Sequence, residues 1–218
     1  MSDFIETLSD KQFPTFATFK YYRKYGLSLG DCVQGVQSAC RFFGIPCPAN
    51  IEDFTNKPVG GTMFINQNSK SYADDIIGFD LEELKTLSVN SKDAFTLIMT
   101  HECAHRLLQN TVLSGLNQGQ WEEELCCDFF IGVRAIVEHV SLEALKNVCN
   151  GLSHSRGAVT HPTGRLRCAA IKWGCEVGNA LIQNKQMCSM PELLGLFEKW
   201  HQLNASIIRE EQTPFYGY

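Results

Sequence analysis

The chain has 218 residues, 44% of them hydrophobic, which suits one large domain or two small ones with a real core and excludes a largely disordered protein. A formal net charge of -5 provides no general attraction for phosphate, so nucleic acid is not expected as the main partner. No apolar run reaches transmembrane length and the first residues lack a basic, apolar leader, so a cytoplasmic protein without membrane insertion is expected.

Ten cysteines are many for this length. Several of them fall within helical patterns, two are adjacent at Cys126 and Cys127, and no C-x-x-C pair occurs. We therefore expect reduced, mostly buried thiols that act as small hydrophobic side chains, and no separate structural zinc site made of cysteines.

The first 60 residues are predicted to form a helical packing segment. Aromatic residues recur between residues 13 and 22 at spacings typical of a core, and a helix is expected from Gly30-Asp31 to Phe43. Glycine and proline interrupt the pattern at residues 44–48 and again at 56–61.

Residues 61–80 predict an edge-strand hairpin, with strands at 62–66 and 72–79 and a polar turn between them. Such an edge could hold an extended peptide by backbone hydrogen bonds or could simply shield the core. A brief helical turn is expected from residue 80 or 81 to Leu87, followed by a loop at residues 88–91.

The most informative stretch is the pentad from His101 to His105, which reads H-E-x-x-H. On a helix that begins near Ser91, a step of four residues turns about 400° and rises about 6 Å, so both histidines can point at one metal ion. Glu102 lies about 100° away from His101, where it could hold a metal-bound water without being a ligand. The alternative is a pair of helix histidines with no metal.

A second helix is predicted from residue 121 to about 139. Glu124 is our expected third metal ligand, with Glu123 as the alternative, because His₂Glu is a standard set for catalytic zinc. Asp128 lies one turn further along the same face, where it could accept the outer N–H of a metal-binding histidine. The three successive glutamates could otherwise be an acidic first turn that favours the helix dipole.

Further helices are expected at residues 141–150 and 165–182 and from Ser189 onward, where a capping box contains proline in its first turn. The polar segment 151–164 carries His154 and His161 and is expected to form a mobile wall beside the site. We predict an α+β fold, mostly α with a small β-hairpin or sheet, in one domain over residues 1–218. Its metal-site core is placed at residues 91–166, and its C-terminal helices at 167–218.

H-E-x-x-H followed by E-x-x-x-D on the next helix resembles the gluzincin metallopeptidases. Thr160-His161-Pro162 ahead of Arg165 is similar to a segment of the prenyl-protein and heat-shock membrane proteases and their soluble minimal relatives. The resemblance covers about residues 94–166 and implies a minimal zincin-like core, with His161 stabilising the oxyanion. This chain departs from the family pattern at Cys127, where a small residue is expected, and in the short interval between the His161-Pro162 pair and Arg165.

These features predict a zinc-dependent metalloendopeptidase, a hydrolase that uses one Zn²⁺ held by His101, His105 and Glu124. Glu102 would act as general base, and His161, Arg165 or His154 would stabilise the oxyanion on a protein or peptide substrate. One alternative is a catalytically silent metal-binding regulator or effector, against which the intact Glu102 argues. Another resembles the phage-exclusion peptidases, with the same chemistry aimed at one host protein.

Overall fold

The computed structural model describes residues 22–55, 63–67, 75–110 and 120–215, and the labels below number the described elements in chain order. Three short strands and seven helices are present in those ranges, which confirms the predicted α+β, mostly α fold class. The strands are β1 (Asn50–Asp53), β2 (Met63–Gln67) and β3 (Asp75–Phe79). The helices are α1 (Leu29–Phe43), α2 (Leu81–Thr86), α3 (Lys92–Asn110), α4 (Gln120–Val137), α5 (Leu142–Ser153), α6 (Gly164–Asn184) and α7 (Met190–Gln212), with a 3₁₀ turn at Thr213–Phe215.

The strands form one sheet in the order β1-β3-β2. The predicted hairpin partners, β2 and β3, pair antiparallel, with Ile65 opposite Ile77. The sheet also contains β1, which pairs parallel to β3 and which the sequence did not predict. Its four residues are all half-buried and only Ile51 among them is apolar, so its strand conformation comes from pairing with β3 and not from an alternating pattern.

Side-chain caps explain where several helices begin. The Ser28 hydroxyl accepts from the Asp31 backbone N–H while the Asp31 carboxylate accepts from the Ser28 N–H, so α1 begins just before the predicted Gly30. Asp80 caps α2, and Ser91 Oγ accepts from the Ala94 N–H at the start of α3. Ser189 and Glu192 form the capping box predicted for α7.

Helix α5 continues past its predicted end. Asn150-Gly151 is typical of a helix C-terminus, but α5 runs on to Ser153. Gly151 is buried against the backbone of Leu87, where an added Cβ would lie 2.1 Å from the carbonyl oxygen. This glycine therefore serves a close approach inside the helix and does not end it.

Helix α4 lies at the centre of the core. Its side chains from Trp121 to Ala135 are almost all buried, and it packs most extensively on α6, while α3 packs on both α1 and α4. At the crossing of α4 and α6, a Cβ on Gly132 would lie 2.0 Å from the Ile171 oxygen, and one on Gly174 would lie 2.0 Å from the Phe129 oxygen. The two helices therefore meet backbone to backbone.

A buried arginine joins three of the helices. Arg134 on α4 donates to Thr100 Oγ1 on α3 at 2.9 Å and to the Ser38 hydroxyl on α1, and its Nε donates to Glu138 at 2.7 Å. Each of these bonds satisfies a guanidinium N–H that burial would otherwise leave without a partner. The network holds α1 and α3 in register with α4.

The aromatic residues predicted to pack between positions 13 and 21 lie outside the described residues, and Tyr22, the last of that cluster, is buried. None of the described helices combines the length and the apolar character that crossing a bilayer requires.

Candidate metal centre

Two neighbouring helices bring the predicted metal ligands together. His101 and His105 lie one turn apart on α3, and their Nε2 atoms are 3.1 Å apart. Glu124 comes from the first turns of α4, with one carboxylate oxygen 3.3 Å from His101 Nε2 and the other 3.3 Å from His105 Nε2. His101 and Glu124 are buried and His105 is half-buried.

Carboxylates on the outer side set the orientation of both imidazoles. Asp128 Oδ1 lies 3.0 Å from His101 Nδ1, and Glu123 Oε1 lies 2.8 Å from His105 Nδ1. An ionised carboxylate can only accept, so each Nδ1 carries a proton, and a ring that is neutral therefore turns an Nε2 lone pair inward. Glu123, the alternative third ligand, therefore lies on the outer nitrogen, away from the converging Nε2 atoms.

The atoms that converge, the two Nε2 atoms and the Glu124 carboxylate oxygens, are electron-pair donors. Burial alone would raise the pKa of Glu124, but His101 and His105 hold it well below its usual range, so this carboxylate is ionised at neutral pH. Among the described residues, no hydrogen-bond donor satisfies the buried Glu124 Oε2. Three lone pairs this close repel one another unless a proton or a cation lies between them. The donor set therefore fits a metal ion.

Cys127 belongs to the same cluster. Its sulfur and one ring nitrogen each from His101 and His105 all lie within 4.8 Å of one another, so these three residues could hold a metal ion. Burial raises the pKa of Cys127 to about 12, against the influence of His105, so the thiol is protonated unless a metal displaces its proton. The two histidines thus have two candidate partners on α4, Glu124 and Cys127, which lie three residues apart.

Arg167 is the arginine that the structure places at this centre. Its guanidinium donates to Asp128 at 2.7 and 2.9 Å and lies 3.9 Å from Glu124 Oε2. Burial would raise the pKa of Asp128, but Arg167 and His101 lower it, so its carboxylate stays charged and orients His101.

The sequence interpretation offered Arg165 as one candidate for stabilising the oxyanion, and the structure places it elsewhere. Arg165 is exposed and pairs with Glu211 on α7 instead, outside the cavity. Both arginines begin helix α6, and their separation of two residues turns them to different sides of it. The helical periodicity was therefore the signal that could have identified Arg167.

A cavity of about 640 Å³ opens beside the histidines. Glu102 lines it and is only 8% exposed, whereas Cys103, the next residue, points away into the core. The cavity is lined by His101, Glu102 and Glu124 together with residues of α2, α3, α5, α6 and the following loops: Glu83, Thr86, Leu87, Ile98, Gly151, Leu152, His154, Ser155, His161 and Arg167. Glu102, whose carboxylate is not placed as a metal ligand, thus faces a cavity large enough for a peptide segment.

Both candidate loop histidines line this cavity. His161 Nε2 lies 3.6 Å from Glu124 Oε1, and its Nδ1 lies 2.7 Å from the Thr160 hydroxyl. If the Thr160 hydroxyl donates to Nδ1, Nε2 carries a proton that it can donate into the cavity. His154 follows α5 as its C-cap residue and is also exposed to the cavity.

The loop that carries His161 is fastened to Trp121 on α4, whose ring also contacts Phe215. Trp121 Nε1 donates to the Ala158 carbonyl at 2.8 Å, and the Phe215 ring lies 5.7 Å from the Trp121 ring, centroid to centroid. Gly157 in this loop has a φ of 79°, which glycine adopts without strain. The loop predicted to be a mobile wall is thus held at one point by a fully buried indole.

Comparisons of this chain with protein-family models, with curated proteins and with solved structures found no match.

Proposed function

We propose that this protein is a zinc-dependent metallopeptidase that hydrolyses peptide bonds in a protein or peptide substrate. The observation that supports it best is the convergence of His101, His105 and Glu124: the two Nε2 atoms are 3.1 Å apart, and each lies 3.3 Å from a different oxygen of the Glu124 carboxylate. A tetrahedral zinc site with bonds of about 2.0–2.1 Å has its donor atoms roughly 3.3–3.4 Å apart. Two imidazoles and one carboxylate form a standard catalytic zinc set that leaves one position for water.

Zinc bound by these residues would lower the pKa of a water molecule and polarise a substrate carbonyl. Glu102 would take the proton from the attacking water and return it to the leaving amine, since it lines the cavity next to the histidines and makes no ion pair with either of them among the described residues. His161 would donate from Nε2 to the developing oxyanion, with His154 as the other candidate. Asp128 and Glu123 would hold the imidazoles in the required tautomer.

The first prediction concerns Glu102→Gln. We expect this variant to keep its zinc, because Glu102 is not a ligand, and to lose hydrolysis by about 10²–10⁴-fold, because the amide cannot accept the water proton. Zinc content would be measured by elemental analysis, and hydrolysis by new N-termini released from a mixture of unfolded proteins.

Glu122→Gln is the matched control. Glu122 is on α4 near Glu124, but its carboxylate faces His201, 3.4 Å away, and lies outside the cavity. This variant should hydrolyse peptides at the wild-type rate. A Glu102→Gln variant that cleaves as fast as the wild type would remove Glu102 from the mechanism, and a purified chain that binds no zinc would contradict the whole proposal.

One observation favours a second candidate, a metal-binding regulator without catalytic turnover. Structural zinc sites usually have four protein ligands. Cys127 lies close to His101 and His105, and with Glu124, which contacts the same two histidines, the set would number four. X-ray absorption at the zinc edge separates the two candidates. A sulfur at about 2.3 Å would favour the closed site, and only nitrogen and oxygen at about 2.0–2.2 Å would favour the open, catalytic one.

A further inference from the structure

Two cysteines on the α5 and α6 helices lie side by side. Cys149 is in the last turns of α5 and Cys168 is in the second turn of α6, nineteen positions later. The Cys168 sulfur lies 3.3 Å from the Cys149 carbonyl oxygen, so the two cysteines are neighbours where α5 packs on α6. Both residues are partly exposed, so small reagents can reach them.

The two thiols differ in acidity. Interaction with the Cys149 side chain, against the effect of burial and with help from Arg167, lowers the pKa of Cys168 to about 7. The same interaction and burial raise the pKa of Cys149 far above its usual range. When Cys168 is protonated it donates to the Cys149 carbonyl, and when it ionises it accepts from the Cys149 thiol. A nucleophilic sulfur thus lies against a thiol that can resolve its oxidised form.

We propose that Cys149 and Cys168 form a redox-active dithiol that a hydroperoxide converts into a disulfide. The ionised Cys168 sulfur attacks the terminal oxygen of the hydroperoxide, the O–O bond breaks, and the sulfur becomes a sulfenic acid. The departing hydroxide or alkoxide takes a proton to form water or an alcohol. The Cys149 sulfur then attacks the Cys168 sulfur, the S–S bond forms, and the sulfenic hydroxyl leaves as water with the Cys149 proton. Two thiols lose two electrons in total, and the hydroperoxide gains them.

Other cysteine pairs lack this combination. Cys40 and Cys103 have their sulfurs 3.7 Å apart, but both are fully buried, and interaction with Cys40 together with burial raises the pKa of Cys103 well above its usual range. Burial raises the pKa of Cys47, next to Cys40, to about 11 and the pKa of Cys175, two turns beyond Cys168, to about 11. Proximity without ionisation or access leaves these thiols slow to react.

The test is to treat the purified full-length chain with hydrogen peroxide, block the remaining thiols at low pH and digest after lysine and arginine. Digestion yields peptides 147–156 and 168–172, each with a single cysteine, Cys149 in one and Cys168 in the other. The expected first product joins these two peptides and is lighter by two hydrogen atoms than their sum. Its rate of formation should rise with pH up to about 7 to 8 and then level off, because only the thiolate reacts.

Substitutions of single cysteines test which thiols react. Cys168→Ser and Cys168→Ala should abolish the cross-link and slow peroxide consumption at least tenfold, whereas Cys175→Ser, on the same helix, should leave both unchanged. In Cys149→Ser the Cys168 sulfur should stop at sulfenic acid or oxidise further without bonding. A first disulfide between other cysteines, a wild-type Cys168 that becomes sulfinic acid without bonding to Cys149, or a rate that does not level off with pH would each overturn the proposal.

Discussion

Hydrogen bonds on the far side of the two imidazoles decide what this centre can bind. Asp128 and Glu123 occupy the Nδ1 atoms of His101 and His105, so both Nε2 lone pairs are available to the same cation. Asp128 is itself held by Arg167, whereas Glu123 is more exposed. Asp128 and Glu123 both orient a histidine, but Asp128 is therefore expected to do so more firmly.

The second prediction compares Asp128→Asn with Glu123→Gln. Each amide can present an N–H to its histidine and disturb the tautomer, and such changes usually cost 10–100-fold in metal affinity. We expect Asp128→Asn to cost more, because it also removes the carboxylate that Arg167 contacts at 2.7 Å. Competition with a zinc chelator measures both affinities.

Asp93→Asn, an exposed acid at the start of α3, is the control and should bind zinc like the wild type. Equal affinities for all four proteins would show that the outer carboxylates do not support the histidines.

At the scale of single residues, the sequence was informative about side chains whose relative positions follow from their spacing along one helix. The H-E-x-x-H pentad placed His101 and His105 together, and Glu124 and Asp128 follow on α4 as expected from one face of a helix. Arg167 and Cys127 were not anticipated in their positions, because both depend on how helices α4 and α6 cross, and contact between helices leaves no fixed spacing in one sequence.

At the scale of elements, the approach of α4 to α6 is the feature that positions Glu124 relative to Arg167. Glu124, Cys127 and Asp128 lie on α4, and Arg167 lies on α6. Gly132 and Gly174 let the two backbones meet without side chains between them. A larger separation would carry Arg167 away from Asp128.

The third prediction follows from that contact. Gly132→Ala and Gly174→Ala should each lower the free energy of unfolding by about 1–3 kcal/mol, because a Cβ would lie 2.0 Å from a backbone oxygen of the other helix. Denaturant unfolding followed by circular dichroism would measure the change.

Gly195→Ala on α7 is the matched control, since nothing lies within 4 Å of its added Cβ. It should raise stability by about 0.5–1 kcal/mol through helix propensity alone. A result in which all three variants gain stability would show that α4 and α6 are not in close contact.

Helix boundaries were predicted well where a cap residue marks them, as at Ser91 and Ser189, because capping is a local interaction. They were predicted poorly where tertiary contact overrides local preference, as at Gly151. Strand β1 is the clearest omission, since each of its residues pairs with one 26 positions later in the chain.

At the scale of the whole molecule, binding of the proposed metal would be coupled to folding. The candidate ligands come from α3 and α4, which pack against each other, so an ion that binds only the folded chain would stabilise it. The fourth prediction is that removing zinc with a chelator lowers the thermal midpoint, and that restoring it in 100-fold excess over its Kd restores about 2.7 kcal/mol of stability. Scanning calorimetry measures this, and an unchanged midpoint would exclude a bound ion between these helices.

The chelated protein should also respond to pH in a defined direction. Burial opposes the charged form of His101, but Asp128 and Glu124 outweigh it and raise its pKa in the folded chain. A raised folded pKa contributes stability that is complete below the unfolded value of about 6.5 and is lost as pH rises through the folded value. Without zinc, unfolding measurements should therefore show stability declining as pH rises above about 6.5, whereas zinc should reverse that trend because it competes with the proton.

The hydrogen bond from Trp121 to the Ala158 carbonyl should make Trp121 fluorescence sensitive to the position of the loop that carries His161. The indole is fully buried and is anchored to the loop that carries His161, whereas the other two tryptophans, Trp173 and Trp200, lie on α6 and α7. If that loop swings outward to admit a polypeptide, water reaches the indole and its emission shifts to longer wavelength. In a variant whose only tryptophan is Trp121, each opening of the cleft would therefore be recorded as a shift of the emission maximum.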